Sequence, residues 1–130
     1  MFNIDKQSRI PIYEQLIEQV ERLILVGSLK PNEQIPSVRA LSQEHSINPN
    51  TIQKAYNYLE NKQITYSVPG VGRFVAEMAQ ELLSRGNNEK LSTLKDVIYE
   101  LALSNIPKEA ILDIVDNAYA QAEQNKEKRD

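Results

Sequence analysis

No cysteine occurs among the 130 residues, which removes a disulfide framework, a thiolate nucleophile and a thiolate metal site together. Histidine is nearly as scarce. His45 is the single one, and one imidazole at a helix end builds no metal site; such a residue is more often a satisfied or exposed side chain than a switch. Carboxylates are plentiful, yet none pair with metal-ligand spacing, and the chain has neither a nucleophile elbow nor a Walker-type loop. Catalysis has no candidate residue and no cofactor is expected. Long apolar runs are missing as well: Met1 to Arg9 mixes polar and charged residues, unlike a secretory signal, and no later run is long enough to span a membrane. The expected location is the cytoplasm.

What is present fits a small globular chain. Its length suits one domain with an appendage, and 41% hydrophobic with 25% charged residues argues against disorder. The net charge of -3 looks unsuited to a polyanion partner, but it is unevenly spread. Residues 1–75 hold 8 Lys/Arg against 7 Asp/Glu, and residues 76–130 hold 7 against 11. Because potential is local and screened within about 8 Å at physiological salt, a near-neutral first part with cations on one surface can still bind phosphates.

Helical spacing of Tyr13, Leu16, Ile17, Val20, Leu23 and Ile24 predicts a helix from Pro11 to about Val26, stopped by Gly27. Ser28 to Pro36 reads as a loop with one short extended piece at Gln34 and Ile35. A second helix opens at Ser37, whose hydroxyl caps it, and runs to about His45. After a short break, Asn48 as N-cap and Pro49 at the first helical position start a third helix. Two helices joined by so short a turn read as helix-turn-helix. The runs Ile64 to Val68 and Arg73 to Val75, around Pro69-Gly70-Val71-Gly72, predict a β-hairpin. From Ala76 onward the pattern is helical in three pieces: one ending at a break over Gly86-Asn87-Asn88, one carrying Leu91, Leu94, Ile98 and Leu101, and one beginning near Pro107 and fraying in the charged tail from Glu123 to Asp130. The expected architecture is mainly α with a small β-hairpin wing: a winged helix-turn-helix over residues 1–75, then a short helical dimerisation segment over residues 76–130.

The third helix carries the clearest chemistry. At about 100° per residue, Ile52, Ala55, Tyr56 and Leu59 share one face, and Asn50, Lys54, Asn57 and Asn61 the other, with Gln53 on one flank and Thr51 and Tyr58 on the opposite one. Carboxamides pair donor and acceptor groups with adenine in the major groove, and Lys reaches guanine or phosphate. A polar outer face is ordinary in a solvated helix; the short turn before it and the hairpin after it favour DNA recognition. Arg39, early in the second helix, can reach a phosphate or base edge, or else form a surface ion pair, and the amides behind Ser37 can meet a phosphate. Gly70 and Gly72 are too few for a nucleotide fingerprint, but a tight turn lets a wing approach the sugar-phosphate backbone, with Arg73 and Tyr66 beside it in either a contacting or a structural role. The apolar stripes beyond Ala76 read as a partner surface or as domain core; about three short helices limit burial within one chain, which favours sharing the stripes with a second copy.

These residues resemble the GntR family of bacterial regulators, and within it the YtrA-like branch with its short helical C-terminal segment. The resemblance is dense in Pro11-Ile12-Tyr13-Glu14-Gln15-Leu16, Gly27-Ser28-Leu29-Lys30-Pro31, Ile35-Pro36-Ser37-Val38-Arg39-Ala40-Leu41, Asn48-Pro49-Asn50-Thr51-Ile52, Ala55-Tyr56, Leu59-Glu60 and Gly70-Val71-Gly72-Arg73-Phe74-Val75. Beyond Ala76 it is one of length and helical pattern only. It implies a homodimeric winged helix-turn-helix that binds a palindromic operator in double-stranded DNA, generally as a repressor. Carried over by position, it assigns DNA contact to Arg39, to Asn48 through Thr51 with Gln53 and Lys54, and to the wing tip from Pro69 to Gly72. The chain departs from the family in having Pro31-Asn32 where many relatives have Pro-Gly, Gln63 where they have Gly, and Val68-Pro69 in place of a basic pair before the wing's first Gly, which makes the wing weakly basic. Two other readings stay open at this level: a winged-helix module that docks onto protein, suggested by the acidic tail, and a sensor whose small-molecule effector binds among the C-terminal helices.

Overall fold

The computed structural model describes residues 2–129, with side chains described through Gln124. Its elements are α1 (Ile12–Leu25), α2 (Val38–His45), α3 (Pro49–Asn61), β1 (Thr65–Val68), β2 (Gly72–Val75), α4 (Ala79–Leu103) and α5 (Lys108–Arg129). The mainly helical fold with one antiparallel hairpin is the architecture that the residue pattern implies. The chain forms two compact units, Phe2–Arg85 and the residues from Gly86 onward.

In the first unit, local chemistry sets most boundaries. Ser37 Oγ accepts the Ala40 N–H at 3.0 Å and fixes the start of α2, and Asn48 Oδ1 accepts the Asn50 N–H at 2.9 Å ahead of Pro49 at the start of α3. Beyond the end of α1 the Leu29 N–H returns to the Leu23 carbonyl, and Gly27 takes the left-handed φ of 82° that this reversal needs. The hairpin pairs Thr65 with Val75 through Val68 with Gly72, and Gln34 adds an isolated bridge to Phe74 where the sequence predicts a short extended piece.

Both departures from glycine keep left-handed turns. Asn32 and Gln63 have φ of 66° and 64°. At the end of α3 the Ile64 N–H returns to the Leu59 carbonyl and the Gln63 N–H to the Glu60 carbonyl, a Schellman closure with Ile64 and Leu59 both buried. Gln63 therefore bears the Cβ strain that glycine avoids. Gln63→Gly should raise unfolding free energy by about 0.5–1 kcal/mol after the loss in unfolded-state entropy; a urea midpoint equal to or below wild type would show that the turn is unstrained.

The core gathers Leu16, Val20 and Ile24 of α1, Leu41 of α2, the Ile52, Ala55, Tyr56 and Leu59 stripe of α3, and Val75 of the wing. Two buried glutamines extend it toward the N-terminus. Gln19 exchanges hydrogen bonds with the Asn3 backbone, and Gln15 does so with that of Asp5 while also donating to the Ile10 carbonyl. These carboxamides pair backbone polar groups of Asn3 and Asp5, in a segment whose Phe2 ring is buried in the core.

The expected break at Gly86-Asn87-Asn88 is absent: these residues lie inside the continuous helix α4. Gly in a helix interior costs about 1 kcal/mol relative to Ala, which good helix formers on both sides and the Arg85–Glu81 pair at 2.7 Å outweigh. Its first turns belong to the first unit, where Ala79 is buried and Leu82 and Leu83 pack on the core. The backbone of α5 stays helical to Arg129 through most of the tail expected to fray; Asp130 lies outside the described residues.

Candidate nucleic-acid interface

Helix α3 packs its apolar stripe on α1 and α2 and turns its polar side outward. Asn50, Lys54, Asn57 and Asn61 are exposed, with Thr51 and Gln53 half-buried. The stripe holds the helix by its largest member. Tyr56 has no exposed surface, and its hydroxyl donates to the Pro36 carbonyl at 2.7 Å, joining α3 to the segment that leads into α2. Burial pushes the Tyr56 phenol well above its ordinary pKa, with the Arg73 charge acting the other way.

The sequence-predicted side chains differ in what they touch. Ser37 Oγ and Asn48 Oδ1 accept the capping bonds of their helices, which leaves the Ser37 hydroxyl proton and the Asn48 amide nitrogen to donate to a phosphate beside the helix N-termini. Arg39 and Asn50 are exposed and make no side-chain hydrogen bond or ion pair among the described residues. Gln53, Asn57 and Arg73 come together: Gln53 Nε2 donates to Asn57 Oδ1 at 3.0 Å and Arg73 Nη2 donates to the same oxygen at 3.2 Å. Lys54, the one cation of the polar face, rests its ammonium 3.9 Å from the centroid of the Tyr13 ring, a cation–π contact that holds the side chain near α1.

The wing is fastened to the rest of the unit. Ser67 Oγ donates to Glu60 on α3 and Gln34 Nε2 donates to the Val71 carbonyl at 3.1 Å, while within the hairpin the Tyr66 and Phe74 rings stack at 5.6 Å. Gly70 and Gly72 have φ of 75° and 148°, and a Cβ at Gly72 would run into the Gln34 amide. Val68 and Val71 are exposed at the tip.

Composition and motifs did not single out Lys6 or Tyr13 as parts of this surface. Lys6 Nζ donates to the Ser46 carbonyl at 3.1 Å, beside the turn between α2 and α3. Tyr13 belongs to the α1 stripe in sequence, and its contact with Lys54 depends on how α1 and α3 cross. Lys6, Arg9, Lys30, Arg39, Lys54 and Lys62 are all exposed. Among the described residues no cluster of His, Cys, Asp or Glu can hold a metal ion, and no helix is long and apolar enough to cross a membrane.

Comparison with known proteins places these elements among bacterial regulators. Residues 12–75 match the family model described as bacterial regulatory proteins, gntR family. The chain is 39% identical over 103 residues to the HTH-type transcriptional repressor YtrA of Bacillus subtilis (strain 168), covering 79% of this chain and 77% of that protein. Its fold superposes on a GntR family transcriptional regulator from Listeria monocytogenes with a TM-score of 0.64 and 31% identity, covering 88% and 98% of the two chains. It also superposes on the AraR DNA-binding domain in complex with operator ORR3, with a TM-score of 0.50 and 33% identity over 56% of this chain and 88% of that one.

Proposed function

Since the chain belongs to the gntR family of bacterial regulatory proteins and is a DNA-binding transcription regulator, we propose that it acts as a cytoplasmic repressor without enzymatic activity, binding a palindromic operator as a homodimer. The single observation that carries the reading is the exposed amide-and-lysine side of α3, with Asn50, Lys54 and Asn57 open to solvent. A major groove about 12 Å wide admits such a helix. In a dimer, two of them about 34 Å apart meet successive turns of one duplex face. Ser37, Arg39, Asn48, Gly70 and Gly72 serve the backbone, and Asn50, Thr51, Gln53, Lys54 and Asn57 the base edges. Selection of duplexes from a random pool tests binding, symmetry and half-site spacing together; an enriched sequence without two-fold symmetry would remove the homodimer reading.

Arg39 gives the sharpest test of the backbone contacts, because its exposed guanidinium has no partner to lose within the described residues. Arg39→Ala should weaken operator and random-sequence binding alike, and should lower the slope of log affinity against log salt by about 1 per half-site. Equal affinities and equal slopes for the two proteins across a salt series would exclude Arg39 from the interface.

A further inference from the structure

Two amides of α3 share one hydrogen bond with a defined direction, and a wing residue sets that direction. Asn57 Oδ1 accepts from both Gln53 Nε2 and Arg73 Nη2, so the two lone pairs of that carbonyl are engaged. The Asn57 amide nitrogen and Gln53 Oε1 make no hydrogen bond among the described residues, and Asn57 is exposed. Arg73 itself is closely held. Its strand partner is Ser67, its guanidinium carbon lies 5.6 Å from the Tyr56 ring centroid, and its Nη1 is buried without a hydrogen-bond partner among the described residues. This side chain is turned inward onto α3, unlike a phosphate contact, which would project from the wing.

The latch changes what Asn57 can read. Bidentate pairing of an asparagine with adenine requires its oxygen to accept from N6 while its nitrogen donates to N7. With Oδ1 already taken, Asn57 can only donate, which matches the N7 and O6 acceptors of guanine. We propose that Arg73 is a specificity-positioning residue: by occupying Asn57 Oδ1 it makes this point of α3 a reader of guanine and withholds it from adenine. The inference rests on α3 entering the groove.

Selection from a random duplex pool, followed by sequencing and competition binding, tests it with the full chain. Wild type should prefer guanine at one position of each half-site, and Asn57→Ala should lose preference at that position alone. Arg73→Met, which keeps the aliphatic stem, and Arg73→Thr, which suits a strand, should shift that position from guanine toward adenine by about tenfold in relative affinity. Whichever variant matches wild type in circular dichroism and melting is the one to read. Arg73→Met combined with Asn57→Ala should match Asn57→Ala at that position. An unchanged base profile with uniformly weaker binding and a smaller salt slope would make Arg73 a phosphate contact and overturn the proposal, as would wild-type preference for adenine at the position that Asn57→Ala identifies. Failure of wild type to enrich any duplex would overturn the operator reading and this inference with it.

Discussion

Tyr56→Ala is expected to lower unfolding free energy by about 3–5 kcal/mol, the range for removing a large buried aromatic side chain. Three losses fall on one residue. The ring is fully buried between α3 and the rest of the core, its hydroxyl is a hydrogen-bond donor to Pro36, and its face supports the guanidinium of Arg73. Against a typical total of about 5–15 kcal/mol, that removes a large share of the stability of the first unit. Tyr56→Phe separates the contributions. It keeps the ring and removes one bond, so it should cost about 1–2 kcal/mol, mostly from leaving the Pro36 carbonyl unpaired. Urea unfolding followed by far-UV circular dichroism reads both. A Tyr56→Ala midpoint within error of wild type would mean that α3 does not depend on this anchor.

Residues whose signal is local were legible in the sequence. Ser37 and Asn48 mark helix starts through bonds that reach two or three residues along the chain, Pro49 does so through its fixed φ, and the Pro69-Gly70-Val71 turn lies between its own two strands. The polar side of α3 follows from helical period alone. What the sequence hides depends on distant partners. The Arg73–Asn57 bond joins residues 16 apart, and no periodicity says that the wing arginine folds back on the helix. Tyr13 and Lys54 are further apart still. Gly86 misleads for the opposite reason: a strong local stop signal is overridden by helix formers on either side. Asn32 and Gln63 show a third case, in which a change of residue type leaves the left-handed backbone intact because hydrogen bonds, from the Asn32 N–H to the Val75 carbonyl and at the Gln63 turn to the end of α3, fix it more firmly than Cβ strain opposes it.

The second unit supplies the other large expected effect. Leu91, Leu94, Val97, Tyr99 and Leu103 of α4, and Leu112, Ile114 and Tyr119 of α5, are all exposed, and among the described residues the buried core ends at Ala79. So many large apolar side chains at solvent are unusual for a monomer, and pairing with a second copy would remove them from water. Leu94→Glu combined with Ile114→Glu would force charges into such a contact, where an unpaired carboxylate is costly to desolvate. The double variant should sediment as a monomer while retaining the melting transition of the first unit, whose core contains neither residue. Its operator affinity should fall by about 10²–10⁴-fold, because the second half-site loses the high effective concentration that linkage to the first provides. Binding to a single half-site should hardly change, and this separates loss of pairing from damage to α3. A double variant with wild-type mass and wild-type operator affinity would show that these side chains do not hold two copies together.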